Sequence, residues 1–196
     1  MGKFSGDETS NGRRMFLSGT TSTLFTMGAV GLSIPYVRSW NPSTRARAAG
    51  SPIKVDLSKI PEGSLHVEEW RGKPIYVVKR TKTMLESLEK VADKLRDPES
   101  EDEQQPLYAK NKNRSRIPAV LVVEGICTHL GCTPKYRVGQ DDGDFSGFFC
   151  PCHGSRFDLA GRVYKGVPAP TNLKVPPHYF ADAGTLVIGN EEWETS

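Results

Sequence analysis

The stretch GFFCPCHGSRFD at residues 147–158 crowds Cys150, Cys152 and His153 into four positions, and CTHLGC at 127–132 sets His129 between Cys127 and Cys132. All four cysteines of the chain and two of its four histidines lie in these two segments. Thiolate sulfur and imidazole nitrogen are the donors that borderline and soft transition metals prefer, so the segments read as one site built from two loops. Three readings of these residues are open. The cysteines could all pair as disulfides, for which three connectivities exist, leaving the histidines as bystanders. A structural zinc could take two cysteines and two histidines tetrahedrally, although zinc signatures usually space the histidines together. Alternatively each segment gives one Cys and one His, Cys127 with His129 and Cys150 with His153. Cys132 and Cys152, one per segment, are then free to bridge the two loops.

CTHLGC and CPCHGS match C-x-H-x-x-G-C followed by C-x-C-H-x-S, and the chain thereby resembles the Rieske iron–sulfur proteins. The resemblance implies a [2Fe–2S] cluster held by Cys127 and Cys150 on one iron and His129 and His153 on the other, with a Cys132–Cys152 disulfide joining the loops. Two imidazoles in place of two thiolates make the centre less negative. Its potential rises to roughly −150 to +300 mV, against about −400 mV for plant-type clusters. In the family such a histidine meets a quinol directly, and of His129 and His153 the latter is favoured here. Ser155 corresponds to a serine that donates to a bridging sulfide, and Leu130, before Gly131, to an apolar residue that shields the cluster and borders the quinol site. GVPAP at 166–170 is similar to the family's proline loop. Phe157 departs from the pattern, because many members carry a tyrosine there, and Tyr164 is not assumed to replace it. His66 and His178 are expected as partly exposed strand residues, and Trp40, Trp70 and Trp193 as interface, core and surface packing.

The elements that must position the two loops read as β-rich. Nineteen glycines and fourteen prolines favour turns over long helices. IKVDL at 53–57, SLHVEEW at 64–70 and PIYVVKR at 74–80 read as consecutive strands of an antiparallel sheet. Met84, Leu85, Leu88, Val91 and Leu95 recur at helical spacing, with Thr83 and Glu86 as a capping box and Asp97-Pro98 as the stop. DPESEDEQQPLYAKNKNRSR at 97–116 has no apolar rhythm and reads as a long surface loop. AVLVVEG at 119–125 is a buried strand that delivers the chain to Cys127, GFFC does the same for Cys150, and LAGRV and TLVIG close the domain.

Of the basic charge, six Lys/Arg against two Asp/Glu lie in residues 1–48, leaving twenty against twenty-one in the remainder, so a nucleic-acid partner is not expected. Arg13 and Arg14 precede 22 uncharged residues, Phe16 to Val37, resembling a twin-arginine export signal. That length suits a retained transmembrane anchor of about 30 Å better than a cleaved peptide, although seven Ser/Thr, three Gly and Pro35 dilute it and Ala46-Arg47-Ala48 resembles a cleavage site. The organisation expected is a cytoplasmic segment 1–15, an anchor 16–37, a flexible tether over 38–52 and a head over 53–196. The head is a mainly β antiparallel sandwich with a cluster-binding subdomain at about 126–170 and one helix–loop insert. The order of these features is that of Rieske subunits in proteobacterial quinol–cytochrome c reductases. This resemblance implies an oxidoreductase subunit of the inner membrane with its head in the periplasm, and as partners ubiquinol, a cytochrome b subunit and a c-type cytochrome in a dimeric complex. The alternative is a Rieske electron carrier of another periplasmic oxidoreductase, such as a molybdenum oxidase small subunit. A Rieske oxygenase is disfavoured, since the chain has no spare ligands for a mononuclear iron.

Overall fold

The structure is a computed structural model that describes residues 8–44, 46, 50–139 and 145–189; Trp193 lies outside them. The chain forms two compact units, residues 1–47 and 48–196. The first is dominated by one helix, α1 (Glu8–Ser39), which carries Pro35 within it. At about 1.5 Å per residue it is about 48 Å long. Among the described residues, no helix is long and apolar enough to cross a membrane. The hydroxyls of Ser18, Thr20, Thr21, Thr23, Thr26 and Ser33 each donate to a carbonyl three or four residues earlier, at 2.7–3.1 Å.

The second unit is mainly β, with three antiparallel sheets of three strands each among the described residues. Strands β2 (Leu65–Trp70), β3 (Lys73–Lys79) and β4 (Val120–Glu124) make the central sheet, and β3 and β4 are buried on both faces. Ile75, Val77, Val120 and Val122 point to one side, into a core with Val55, Leu57, Trp70, Leu186 and Ile188. Tyr76, Val78, Leu121 and Val123 point to the other, against Cys127, Phe148, Cys150, Phe157 and Leu173. Burial on both faces is why these strands read as unbroken apolar runs instead of alternating ones.

The first strand, β1 (Ile53–Asp56), does not join the next two as expected. It pairs with β9 (Thr185–Ile188), which also pairs with β8 (His178–Phe180). The third sheet, β5 (Lys135–Arg137), β6 (Gly147–Phe149) and β7 (Arg156–Phe157), carries the cluster segments. Two tyrosines fasten it to the rest: Tyr76 donates to Pro134 O at 2.7 Å and Tyr136 to Gly63 O at 2.8 Å.

The helix of the insert, α2 (Lys82–Lys90), starts earlier than the expected Thr83/Glu86 box. Thr81 is the cap: its hydroxyl accepts from Met84 N at 3.3 Å, while its own N–H donates to the Met84 sulfur at 3.4 Å. A thioether thus takes the place of the usual carboxylate. The last turn ends at Lys90 because Arg162 Nη2 takes the Leu88 carbonyl at 2.8 Å and the chain continues as a 3-10 turn, Ala92–Lys94. Met84 and Leu88 pack on Leu159 and Ala160.

Residues 97–116 are not a free surface loop. Ser100, Arg114 and Ser115 are buried, and Arg114 donates to Ala160 O, Gly161 O and Gln105 Oε1. With Arg80 and Arg162 it makes three buried guanidiniums around the buried Asp158. Carbonyl acceptors supplied by distant loops make this burial tolerable. His178 is likewise buried, not partly exposed: its amide donates to Tyr108 Oη at 2.8 Å and its Nδ1 lies 2.9 Å from Pro176 O. His66 sits part-exposed on β2 beside Glu68, and Trp70 is core, both as expected; Trp40 is exposed.

Candidate iron–sulfur site

The two loops are one turn used twice. Cys127 O accepts from Gly131 N at 3.0 Å and Cys127 N donates to Cys132 O at 2.7 Å; Cys150 O accepts from Gly154 N at 2.9 Å and Cys150 N donates to Ser155 O at 2.8 Å. Gly131 and Gly154 close the turns at φ +85° and +75°, a conformation that glycine adopts without strain. The sixth position is Cys132 in one turn and Ser155 in the other. The histidine is third in the first loop and fourth in the second, which explains why C-x-H faces C-x-x-H. The first turn leaves β4 through Gly125, where a Cβ would lie 2.5 Å from the Tyr76 ring, and the second leaves β6 directly.

Cys127 and Cys150 are free thiols, 2% and 1% exposed. The Cys132 and Cys152 sulfurs are joined in a disulfide, as the resemblance implies. The sulfurs of Cys132, Cys150 and Cys152 lie within 4.8 Å of one another, but two are bonded together, so Cys150 alone of the three keeps a thiol for a metal. Burial pushes the Cys127 thiol above its ordinary value. The neighbouring Cys150 thiol pushes the same way, while the His129 amide and the Ser155 hydroxyl oppose. Two buried thiols held side by side ionise readily only beside a cation. The rings of His129 and His153 meet edge to face with centroids 4.7 Å apart, and His129 Nδ1 is buried with no hydrogen-bond partner. A nitrogen so placed is satisfied by a metal ion. The donor set and the orphaned nitrogen therefore fit a two-iron cluster with two Cys and two His ligands.

Around these residues, Leu130 is 71% exposed, and Gly131, Cys152 and His153 are also exposed, forming a surface tip. Ser155 is fully buried, and its Oγ accepts from Ala169 N at 3.1 Å, placing the expected proline loop directly against the second turn. Phe157 is fully buried in the core that also contains both free cysteines. Tyr164 packs on Phe145 instead, with burial pushing its phenol up to about 12. Sequence reasoning missed Thr128, whose hydroxyl donates to Thr171 O at 2.7 Å, and Asn172, fully buried beneath the proline loop. Their positions beside a ligand and beside the proline loop were the only signals.

Fold and site together define an iron–sulfur domain, and the model of the Rieske [2Fe-2S] domain matches residues 54–177. The chain belongs to that family. It is 52% identical to the ubiquinol-cytochrome c reductase iron-sulfur subunit of Allochromatium vinosum, over 91% of this chain and 89% of the relative. The subunit of the same name from Bradyrhizobium diazoefficiens is 42% identical over 90% and 94%. Among solved structures, a chain of a hyperthermophilic respiratory Complex III aligns with a TM-score of 0.50 at 26% identity, covering 86% of this chain and 98% of that one.

Proposed function

We propose that the chain is the iron–sulfur subunit of a ubiquinol–cytochrome c reductase, taking single electrons from ubiquinol beside a cytochrome b subunit and passing them to a c-type cytochrome. The observation that carries this reading is the name shared by relatives that align over nine-tenths of both chains. In this reading Cys127 and Cys150 hold one iron as thiolates, and His129 and His153 hold the other through ring nitrogens. When bound, the cluster supplies a one-electron acceptor of raised potential. His153, exposed at the tip, presents its second ring nitrogen to a quinol hydroxyl and holds the departing proton there. Leu130 offers the apolar contact that receives a quinone ring and keeps water from the two imidazoles. Ser155, matching the serine that in the family donates to a bridging sulfide, would steady the added negative charge there.

The helix over 16–37 is read as the membrane anchor, residues 38–52 as the tether, and the head as periplasmic within a dimeric complex. Mean hydropathy counts each Ser and Thr as a hydrated group, but six of the seven Ser/Thr hydroxyls between Phe16 and Val37 are bonded back to their own helix. Such bonding lowers the penalty of placing Ser and Thr in lipid.

Low-temperature EPR of membranes reduced with ascorbate tests the reading. A rhombic signal with average g below the free-electron value is expected, together with quinol-dependent reduction of cytochrome c that disappears when the chain is deleted. A signal that requires dithionite, or undiminished turnover without the chain, overturns it.

A further inference from the structure

Residues 169–172 touch both ligand turns and the insert at once. Ala169 N–H donates to Ser155 Oγ at 3.1 Å, and Thr171 O accepts from Thr128 Oγ1 at 2.7 Å, Thr128 lying between Cys127 and His129. Pro168 and Pro170 flank Ala169, so its amide is the one backbone donor of that tripeptide and its surroundings are stiff in φ. A stiff strap is positioned by its ends. At the downstream end Asn172 is fully buried: Oδ1 accepts from Val163 N at 2.8 Å, and Nδ2 donates to Asp97 O at 3.1 Å and to Asp97 Oδ2 at 3.3 Å. Asp97 is itself fixed, accepting from the amides of Glu101 and Asp102 at 2.9 and 3.2 Å.

A serine oxygen has two lone pairs and one rotatable hydrogen. With Ala169 N–H on one lone pair, the hydrogen is left to turn to another acceptor, and Ser155 itself closes the turn that opens at Cys150, its carbonyl accepting from Cys150 N at 2.8 Å. An oxygen that accepts a hydrogen bond also donates a stronger one. We propose that Asn172 is a positioning residue for the iron–sulfur site: it clamps the strap to Val163 and Asp97, which seats the Ala169 amide on Ser155 and so fixes the orientation of the Ser155 hydroxyl within the second ligand turn. This rests on the reading that the site holds a cluster, and it adds a residue that is not itself a ligand to those that set the reduction potential.

The test is a mutant cycle on the full-length, cluster-loaded protein, read by voltammetry and by thermal unfolding. Visible and EPR spectra first establish loading; an unloaded wild type fails the cluster reading, not this inference. Asn172→Ala is expected to lower the potential toward, and not beyond, that of Ser155→Ala, and the double variant is expected to match Ser155→Ala alone. A purely structural role would lower the melting temperature and leave the potential in place. Thr128→Val, which frees the other tie of the strap without changing shape or charge, is expected to show the same non-additivity, and it decides the matter if Asn172→Ala does not load. Unchanged potentials, or shifts that add in full to that of Ser155→Ala, overturn the proposal.

Discussion

Replacing Arg162 by methionine is expected to cost about 3–5 kcal/mol of folding stability, the range for removing one partner of a buried ion pair. The two side chains are each 2% exposed, with Arg162 Nη2 2.7 Å and Nε 2.8 Å from Asp158 Oδ2. Methionine keeps the apolar stem but leaves the carboxylate without its nearest cation. Two carbonyls, Pro98 O and Leu88 O, lose donors at 2.9 and 2.8 Å as well. Arg80 and Arg114 still act favourably on Asp158, which places the value toward the lower end. At about 2–4 °C per kcal/mol for a chain of this size, the melting temperature should fall by about 6–20 °C. Urea unfolding followed by circular dichroism measures the first figure, and scanning calorimetry the second. The double variant Arg162→Met with Asp158→Leu should cost less than the two single losses added together. A loss under about 1 kcal/mol for Arg162→Met, or a double variant that costs the full sum, would refute the buried-pair reasoning.

Burial lowers His178 to about 4 against an ordinary 6.5, with the Pro176 carbonyl opposing and Arg116 assisting. The folded state therefore prefers the neutral ring: stability is complete above pH 6.5, falls by about 3 kcal/mol as pH drops toward 4, and is level below that. His178→Phe should flatten this part of the urea-unfolding pH profile, and an unchanged slope would count against it. Phe157→Tyr should raise the cluster potential by about 40 mV if the new hydroxyl gives about 1 kcal/mol more to the reduced state. Voltammetry that shows no rise, or a fall, sinks the idea that a hydroxyl is missing at this position.

The ligand turns were legible because each is local: six consecutive residues carry the cysteine, the histidine and the closing glycine. The apolar runs of β3 and β4 were legible for the related reason that burial on both faces leaves no polar alternation. What escaped was set by partners far along the chain. Nothing in IKVDL says that its partner is TLVIG, since a four-residue strand carries little register information of its own. The charge-rich insert resembled surface because its buried Arg114 is satisfied by the carbonyls of Ala160 and Gly161 and by Gln105 Oε1, partners that sequence does not display. The cap at Thr81 was overlooked because Met84 sulfur substitutes for the acceptor that a capping box usually takes from Glu or Gln. His178 looked like an ordinary half-exposed strand residue, but a neutral imidazole with Nδ1 against a carbonyl packs almost as an apolar ring.

The pairing of β1 with β9 joins Ile53 to Ile188, a separation of about 135 residues. Loop closure on that scale makes folding slow relative to chains dominated by local contacts. It also sets an order during synthesis. At roughly 5–20 residues per second, β1 waits about 7–27 s on the ribosome before its partner strand exists. Meanwhile Val55 and Leu57 lack the Leu186 and Ile188 side chains that cover them in the finished core. A nascent chain therefore carries an open apolar sheet face until β9 is made, and truncations that end short of Thr185 would leave that face permanently uncovered and prone to aggregate.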